Sequence, residues 1–326
     1  MVAVNEVTCS ACGGDRHTLV ARTVDFCYGS CANEFDYVRC THCRQVYLRN
    51  RPLVSELSVI YPAEYLSNDY RQHLGGAIAR LRDAFQRTKI DVLRRYLRAG
   101  DLVAEIGPGG GDYLDIVHRH GDPSWDVLGI DFSETAVAAM RKRGLRAIQS
   151  RIEDIAWEER PAGAFVMHQL IEHVEDPRLV LRKCSQALRE GGVMVLETPS
   201  TQAWDARIFP ARYWAGWHAP RHWSLFDENT LSRLARQEGF EVAEINYILS
   251  PFVVLHSLQY LLRERMGLGR IARIFDVDRI LPLFAASALD RLLLALGFKT
   301  SNMQMVLRKP MVTAVAAGPT GSSRTP

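Results

Sequence analysis

From Asp101 onward, short apolar runs alternate with amphipathic ones. "DLVAEI", "DVLGID", "LRAIQS", "AFVMHQL" and "VMVLET" read as buried strands. Between them, "DYLDIVHRH", "SETAVAAMRKRG" and "DPRLVLRKCSQALREGG" read as helices, with Ser133 as an N-cap and the last helix ending on glycine. "ENTLSRLARQEGF" and "EVAEINYIL" add a further helix and strand. "NMQMVLRK" follows a long helical insert and is expected to return antiparallel. Strands alternating with helices predict an α/β domain around a mostly parallel sheet. Upstream, Ile78, Leu81, Phe85, Leu93 and Leu97 recur at helical spacing, and Gly100 offers a stop.

With 326 residues the chain can hold one large domain and a small one. Its 47% hydrophobic content supports a sizeable core, and a formal charge of +3 disfavours a dedicated nucleic-acid binder. The start "MVAVNEVTCSACGG" lacks the pattern of a secretory leader, and no apolar run reaches about 18 residues. The expected location is therefore the cytoplasm, where thiols stay reduced.

The loop between the first of these strands and its helix, "GPGGG", permits positive φ and close approach of a ligand to the backbone. The following helix start offers free N–H groups. Asp131, twenty positions beyond Gly111, ends the next strand, where a carboxylate can receive ribose hydroxyls. A dinucleotide fingerprint would require glycine where Asp112 stands. Glu105, Gly107, Gly109 and Gly111 instead form E-x-G-x-G-x-G, which resembles the first motif of class I S-adenosylmethionine-dependent methyltransferases. The similarity runs from about Gly100 to Arg308. It implies a Rossmann-like seven-stranded sheet with an antiparallel last strand. It also implies cofactor contacts from those four residues, Asp131, Phe132, Arg151, Ile152 and Gln169.

Six of the seven cysteines precede Arg44. Cys9, Cys12, Cys40 and Cys43 form a CxxC…CxxC pair suited to a structural zinc, while Cys27 and Cys31 read as ordinary thiols. This head is similar to the zinc ribbons that precede class I domains in bacterial methyltransferases of secondary-metabolite, sugar or glycan pathways. The expected layout is a ribbon over 1–50, a linker and helical lid over 51–99, and the methyltransferase domain over 100–310. A helical insert spans 251–298 of that domain, and a disordered tail follows over 311–326.

A hydroxyl acceptor needs a base near neutral pH, which histidine supplies. "HQLIEHVEDP" gives His168, Gln169, Glu172 and His173; "YWAGWHAPRHWSLF" gives His218 and His222 among tryptophans. His173, His222 and His218 are the catalytic candidates, and His168 reads as a core histidine. Ubiquinone-pathway O-methyltransferases are similar at the fourth strand, where an acidic-plus-histidine cluster implies a divalent metal. Glu172 and His173 match part of it, and Gln169 replaces an acid. Tyr61 and Tyr65 are candidates for a lid. The apolar insert predicts helices that cover the site or join two copies, the other reading being an interfacial membrane anchor. The expected activity is methyl transfer to a small-molecule or glycan-type acceptor, most simply at oxygen. An RNA methyltransferase and a non-catalytic cofactor-binding partner are the alternatives.

Overall fold

The computed structural model describes residues 1–62 and 86–311. Tyr65, the stretch through Ile78, Leu81 and Phe85 that was expected to be helical, and the residues beyond Met311 lie outside the described residues. Strands are numbered in chain order. The head contains β1 (Val4–Glu6), β2 (His17–Thr23), β3 (Phe35–Cys40), β4 (Val46–Leu48) and β5 (Asn50–Pro52). The main sheet contains β6 (Leu102–Ile106), β7 (Asp126–Asp131), β8 (Arg146–Gln149), β9 (Ala162–His168) and β10 (Leu188–Pro199). After the short β11 (Ser224–Leu225) come β12 (Glu241–Ile248) and β13 (Asn302–Arg308).

The main sheet runs β12-β13-β10-β9-β6-β7-β8. Strands β10, β9, β6, β7 and β8 are parallel, and β13 inserts antiparallel between β10 and β12. Such a sheet is buried on both faces, and β6 shows it: every one of its residues is covered. Val103 packs with Leu93, Leu114, Val117, Val137 and Met140 from the helices on one side. Leu102, Ala104 and Ile106 point to the opposite layer, where Val180, Leu181, Leu231 and Leu234 lie. Ser133 caps its helix as expected, its side chain accepting from the Ala136 N–H.

One boundary differs from the sequence expectation. The helix predicted to end on glycine is Pro177–Ala187, and β10 already begins at Leu188. Gly191 and Gly192 serve a register shift in that strand between Leu188 and Val193. Gly191 has φ +70°, and a Cβ on Gly192 would stand 2.9 Å from the Arg189 carbonyl oxygen.

The head sheet has the order β11-β4-β3-β2, so its edge strand comes from the main domain. Phe35, Tyr37 and Leu48 share a buried cluster with Trp214, Trp217 and Trp223 of the segment that follows β10. The insert comprises the helix Pro251–Tyr260, a π-helical turn Leu261–Arg265, a short helix Gly269–Ala272 and the long helix Ile280–Ala295.

Candidate active site

Gly107, Gly109 and Gly111 all adopt positive φ, at +67°, +54° and +78°. Their reasons differ. A Cβ on Gly107 would meet Leu170 at 2.7 Å and one on Gly111 would meet Met140 at 2.7 Å, so these two allow close packing. Gly109 and Gly110 face open space, where a ligand can approach the backbone. Asp131, at the end of β7, braces the loop: its carboxylate accepts from the Gly109 N–H at 3.1 Å and the Ser133 N–H at 2.9 Å. Burial raises its pKa, and these N–H groups oppose the rise.

Beside the loop opens a cleft of about 440 Å³, whose lining includes Lys89, Glu105, Gly107, Gln169, Glu197 and Asn302. Glu105 Oε1 lies 3.0 Å from His168 Nδ1. Its Oε2 is buried without a hydrogen-bond partner among the described residues. A buried carboxylate oxygen left this way calls for a donor or a cation. Glu197 receives Lys89 Nζ at 2.6 Å and Gln304 Nε2 at 3.0 Å. Burial works against its charge, yet His168 and Lys89 bring its pKa below the ordinary value. Two acids and one lysine leave a cleft suited to a cationic guest. The residue chemistry therefore fits the sulfonium and ammonium groups of S-adenosylmethionine.

The other expected cofactor contacts are spread more widely. Gln169 adopts φ +50°, and its Nε2 donates to Asn302 Oδ1 at 2.8 Å. Phe132 is 60% exposed next to Asp131, and Ile152 is buried. Arg151 faces Glu153 and Glu175, each at 3.3 Å. Glu197 and Lys89 had not been singled out from sequence. Glu197 does end a predicted strand beside Gln169, whose N–H donates to the Glu197 carbonyl at 2.8 Å.

The three candidate histidines form a second centre. His173 and His222 have ring centroids 4.7 Å apart, and His218 lies 5.0 Å from His222 and 6.3 Å from His173. His222 Nδ1 lies 2.9 Å from the Gly216 carbonyl and His173 Nδ1 lies 3.1 Å from the Arg221 carbonyl. A carbonyl only accepts, so each neutral ring carries its hydrogen on Nδ1 and a lone pair on Nε2. Both Nε2 atoms lie 3.9 Å from Glu172 Oε1, too far for a hydrogen bond. That oxygen has no other hydrogen-bond partner among the described residues, while Oε2 accepts from Thr198 at 2.9 Å. Burial raises the Glu172 pKa to about 8 and lowers that of His222 to about 4. It also pushes His173 and His218 well below the ordinary histidine value. Glu172, His173 and His222 converge closely enough to hold a divalent ion. His222 thereby supplies a third donor, since Gln169 stands where the resemblance implies an acid.

None of Glu172, His173, His218 and His222 lines the cleft itself, but two elements connect the cluster to it. Thr198 precedes Pro199, which lines the cleft. The His218 segment is tied to the helix Pro251–Tyr260 through Ala215 N–H and Ser257 Oγ at 2.8 Å, and Phe252 and Val253 of that helix also line the cleft. Tyr61, expected as a lid, places its hydroxyl 3.0 Å from His173 Nδ1.

The head anchors the histidines from behind. Tyr37 donates its hydroxyl to the Trp217 and His222 carbonyls at 2.7 and 2.9 Å. Arg221 and Asp25 form a fully buried ion pair, with both terminal guanidinium nitrogens on the carboxylate at 3.0–3.1 Å. The Arg221 backbone carbonyl is the one facing His173.

Cys9, Cys12, Cys40 and Cys43 meet within 4.8 Å. Cys9 and Cys43 sulfurs are 3.5 Å apart, and those of Cys12 and Cys40 are 3.6 Å apart. Four thiolates at about 2.3 Å from a tetrahedral zinc would stand about 3.8 Å from one another. Burial opposes ionisation of Cys40, but N–H groups of Cys43 and His42 bring its thiol down to about 7. The donor set fits zinc.

The chain resembles known proteins over its main domain. The family model described as a methyltransferase domain matches residues 75–245, just over half of the chain. A ubiquinone biosynthesis O-methyltransferase from Leptothrix cholodnii is 34% identical over 107 residues, covering 30% of this chain and 44% of that protein. A protein of the same name from Idiomarina loihiensis is 25% identical over 163 residues, covering 46% and 65%. The chain thus spans about half to two thirds of the length of these relatives. Among solved structures, a cyclopropane synthase from Mycobacterium tuberculosis overlaps with a TM-score of 0.46 at 17% identity, covering 68% of this chain and 83% of that one. Because the family model covers more than half of the chain, the chain belongs to the methyltransferase-domain family.

Proposed function

We propose that the enzyme methylates a hydroxyl of a small-molecule or glycan-type acceptor, with the histidine cluster removing the proton. The observation that carries this reading is the convergence of three imidazoles next to segments that line the cleft. Burial holds all three rings neutral at pH 7 and lowers their basicity, so a ring takes the acceptor's proton only as the oxygen gains the methyl group and that proton turns acidic. S-adenosylmethionine, when bound, supplies a methyl group on a sulfonium leaving group. Glu105, Gly107, Gly109, Gly111, Asp131, Phe132, Ile152 and Gln169 are the residues that would hold it. Arg151 belongs to that set only if it releases its two acids. His173 and His222 are each oriented by a backbone carbonyl, and His218, half-buried like His173, stands beside them at a backbone φ of +41°. We assign the acceptor's proton to His218 and the alignment of the oxygen to its two neighbours. The names of the relatives support transfer to oxygen on a small molecule.

We assign a structural zinc to the four head cysteines. Its chemistry is closed, since four thiolates leave no position for substrate.

The test is methyl transfer from methyl-labelled S-adenosylmethionine to fractionated cell extract. Label in a base-stable small-molecule or glycan fraction, lost in H218A but with cofactor binding retained, is expected. Label confined to RNA, or undiminished transfer by H218A, H173A and H222A alike, would overturn the reading.

A further inference from the structure

The insert leaves an apolar surface that the methyl-transfer reading does not use. In the helix Ile280–Ala295, Leu281, Phe284, Ala285, Ala288, Leu289 and Leu292 are all exposed at spacings of three and four. They form one face, continued by Leu296 and Phe298. Leu281 is 80% and Phe284 69% exposed, far beyond the scattered apolar residues of an ordinary surface. Met266, Ile271 and Ile274, from the neighbouring turns, are also exposed.

Arginines surround this face. Arg265, Arg270, Arg273, Arg279 and Arg291 are exposed and make no ion pair among the described residues. The acids of the insert do not balance them. Glu264 is paired with Arg263, and Asp290 is buried, accepting from Ser250 and Trp204. Asp276 and Asp278 remain, both in the turn before the long helix. The helix is 16 residues long, about 24 Å, and no helix among the described residues is long and apolar enough to cross a membrane.

We propose that the insert is an interfacial docking surface for an anionic lipid membrane. The apolar face enters the boundary between headgroups and acyl chains, and the arginines meet the lipid phosphates. Charge decides between this occupant and a second copy of the chain. A two-fold contact through the same face would bring each arginine set against its own kind, whereas an anionic surface neutralises all five. The insert begins with the helix carrying Phe252 and Val253, so docking places the cleft beside the membrane.

The experiment is flotation of the full chain with vesicles of phosphatidylcholine alone or mixed with phosphatidylglycerol. The bound fraction should rise at least tenfold on the anionic vesicles and fall with added salt. R270E combined with R273E should lose that tenfold preference with cofactor binding unchanged, and L281D combined with F284D should abolish flotation. Circular dichroism and cofactor binding check that the variants fold. Equal binding to both vesicle types, or none to either, would overturn the proposal. A dimer by light scattering that is lost in L281D with F284D, without flotation of the parent, would do the same and reassign the face to a copy-to-copy contact.

Discussion

Two clusters of convergent donor atoms are tied to the short strand β11, through Ser10 and through Glu172, and they are built on opposite plans. The cysteine cluster comes from two knuckles whose spacing is local: each CxxC turns back on itself, and in the second, backbone N–H groups stabilise the Cys40 thiolate. The Glu172, His173 and His222 cluster has no such local logic. Its members come from two segments, and their ring orientation is set by carbonyls of Gly216 and Arg221. The second cluster depends on the first, because β4, which begins three residues after Cys43, pairs with β11, which begins two residues beyond His222.

That dependence predicts the largest effect. On the zinc assignment proposed above, a chelator, or C40S with C43S, should melt the head and release β11 and the histidine segment. Structural zinc sites contribute about 10–16 kcal/mol of binding energy in small domains. A loss of apparent stability of several kcal/mol is therefore expected, with the tryptophan fluorescence of Trp214, Trp217 and Trp223 shifting to longer wavelength. A chelated protein with an unchanged melt and spectrum would show the clusters to be independent.

Next in size is the buried pair that joins them. D25A leaves the Arg221 guanidinium uncompensated in a site of zero exposure, at a cost of about 3–5 kcal/mol in urea unfolding. Burial disfavours the Asp25 charge, but the Arg221 hydrogen bonds outweigh it and depress the pKa. The pair's contribution is thus present above the ordinary carboxylate value of about 3.9 and is lost as pH falls through the lower folded value. If D25A and the parent lose stability in parallel on acidification, that assignment fails.

How much of this was legible beforehand follows from how each feature is encoded. The parallel sheet, the glycine loop and the cysteine knuckles are written in neighbouring residues, so periodicity and spacing disclose them. The histidines were visible as residue types in loops after strands. Their partners were not: Asp25 and Arg221 are 196 positions apart, and Tyr37 is 185 from His222. No local pattern marks such contacts. Lys89 with Glu197 was hidden in the same way, at 108 positions. The early end of the helix Pro177–Ala187 was missed because Gly191 and Gly192 were read as a cap rather than as a strand irregularity.

A third prediction separates the cofactor cleft from both clusters. D131A removes the acceptor that braces the Gly109 N–H and would receive the ribose. Hydrogen bonds to charged groups contribute about 1.5–3 kcal/mol, so cofactor affinity should fall roughly 10–100-fold by equilibrium dialysis. The zinc content and the tryptophan spectrum should stay as in the parent. A variant that binds cofactor normally would remove Asp131 from the site.

The smallest change probes the point where the chain preceding the cleft touches the histidines. In Y61F the phenolic oxygen near His173 Nδ1 is lost, while the ring remains. The Arg221 carbonyl still holds the same nitrogen, so the tautomer of His173 survives. A hydrogen bond with a remaining partner contributes about 0.5–1.5 kcal/mol, which sets the expected drop in methyl transfer at a few-fold. The pH profile distinguishes orientation from mere packing. If Tyr61 tunes His173, the acidic limb of the rate profile should move in Y61F while the melting temperature stays within a degree or two. If instead the melt falls and the profile keeps its shape, Tyr61 serves as a strut of the cluster formed with Trp214 and Trp217. The histidine centre then owes its geometry to the head and its backbone carbonyls alone.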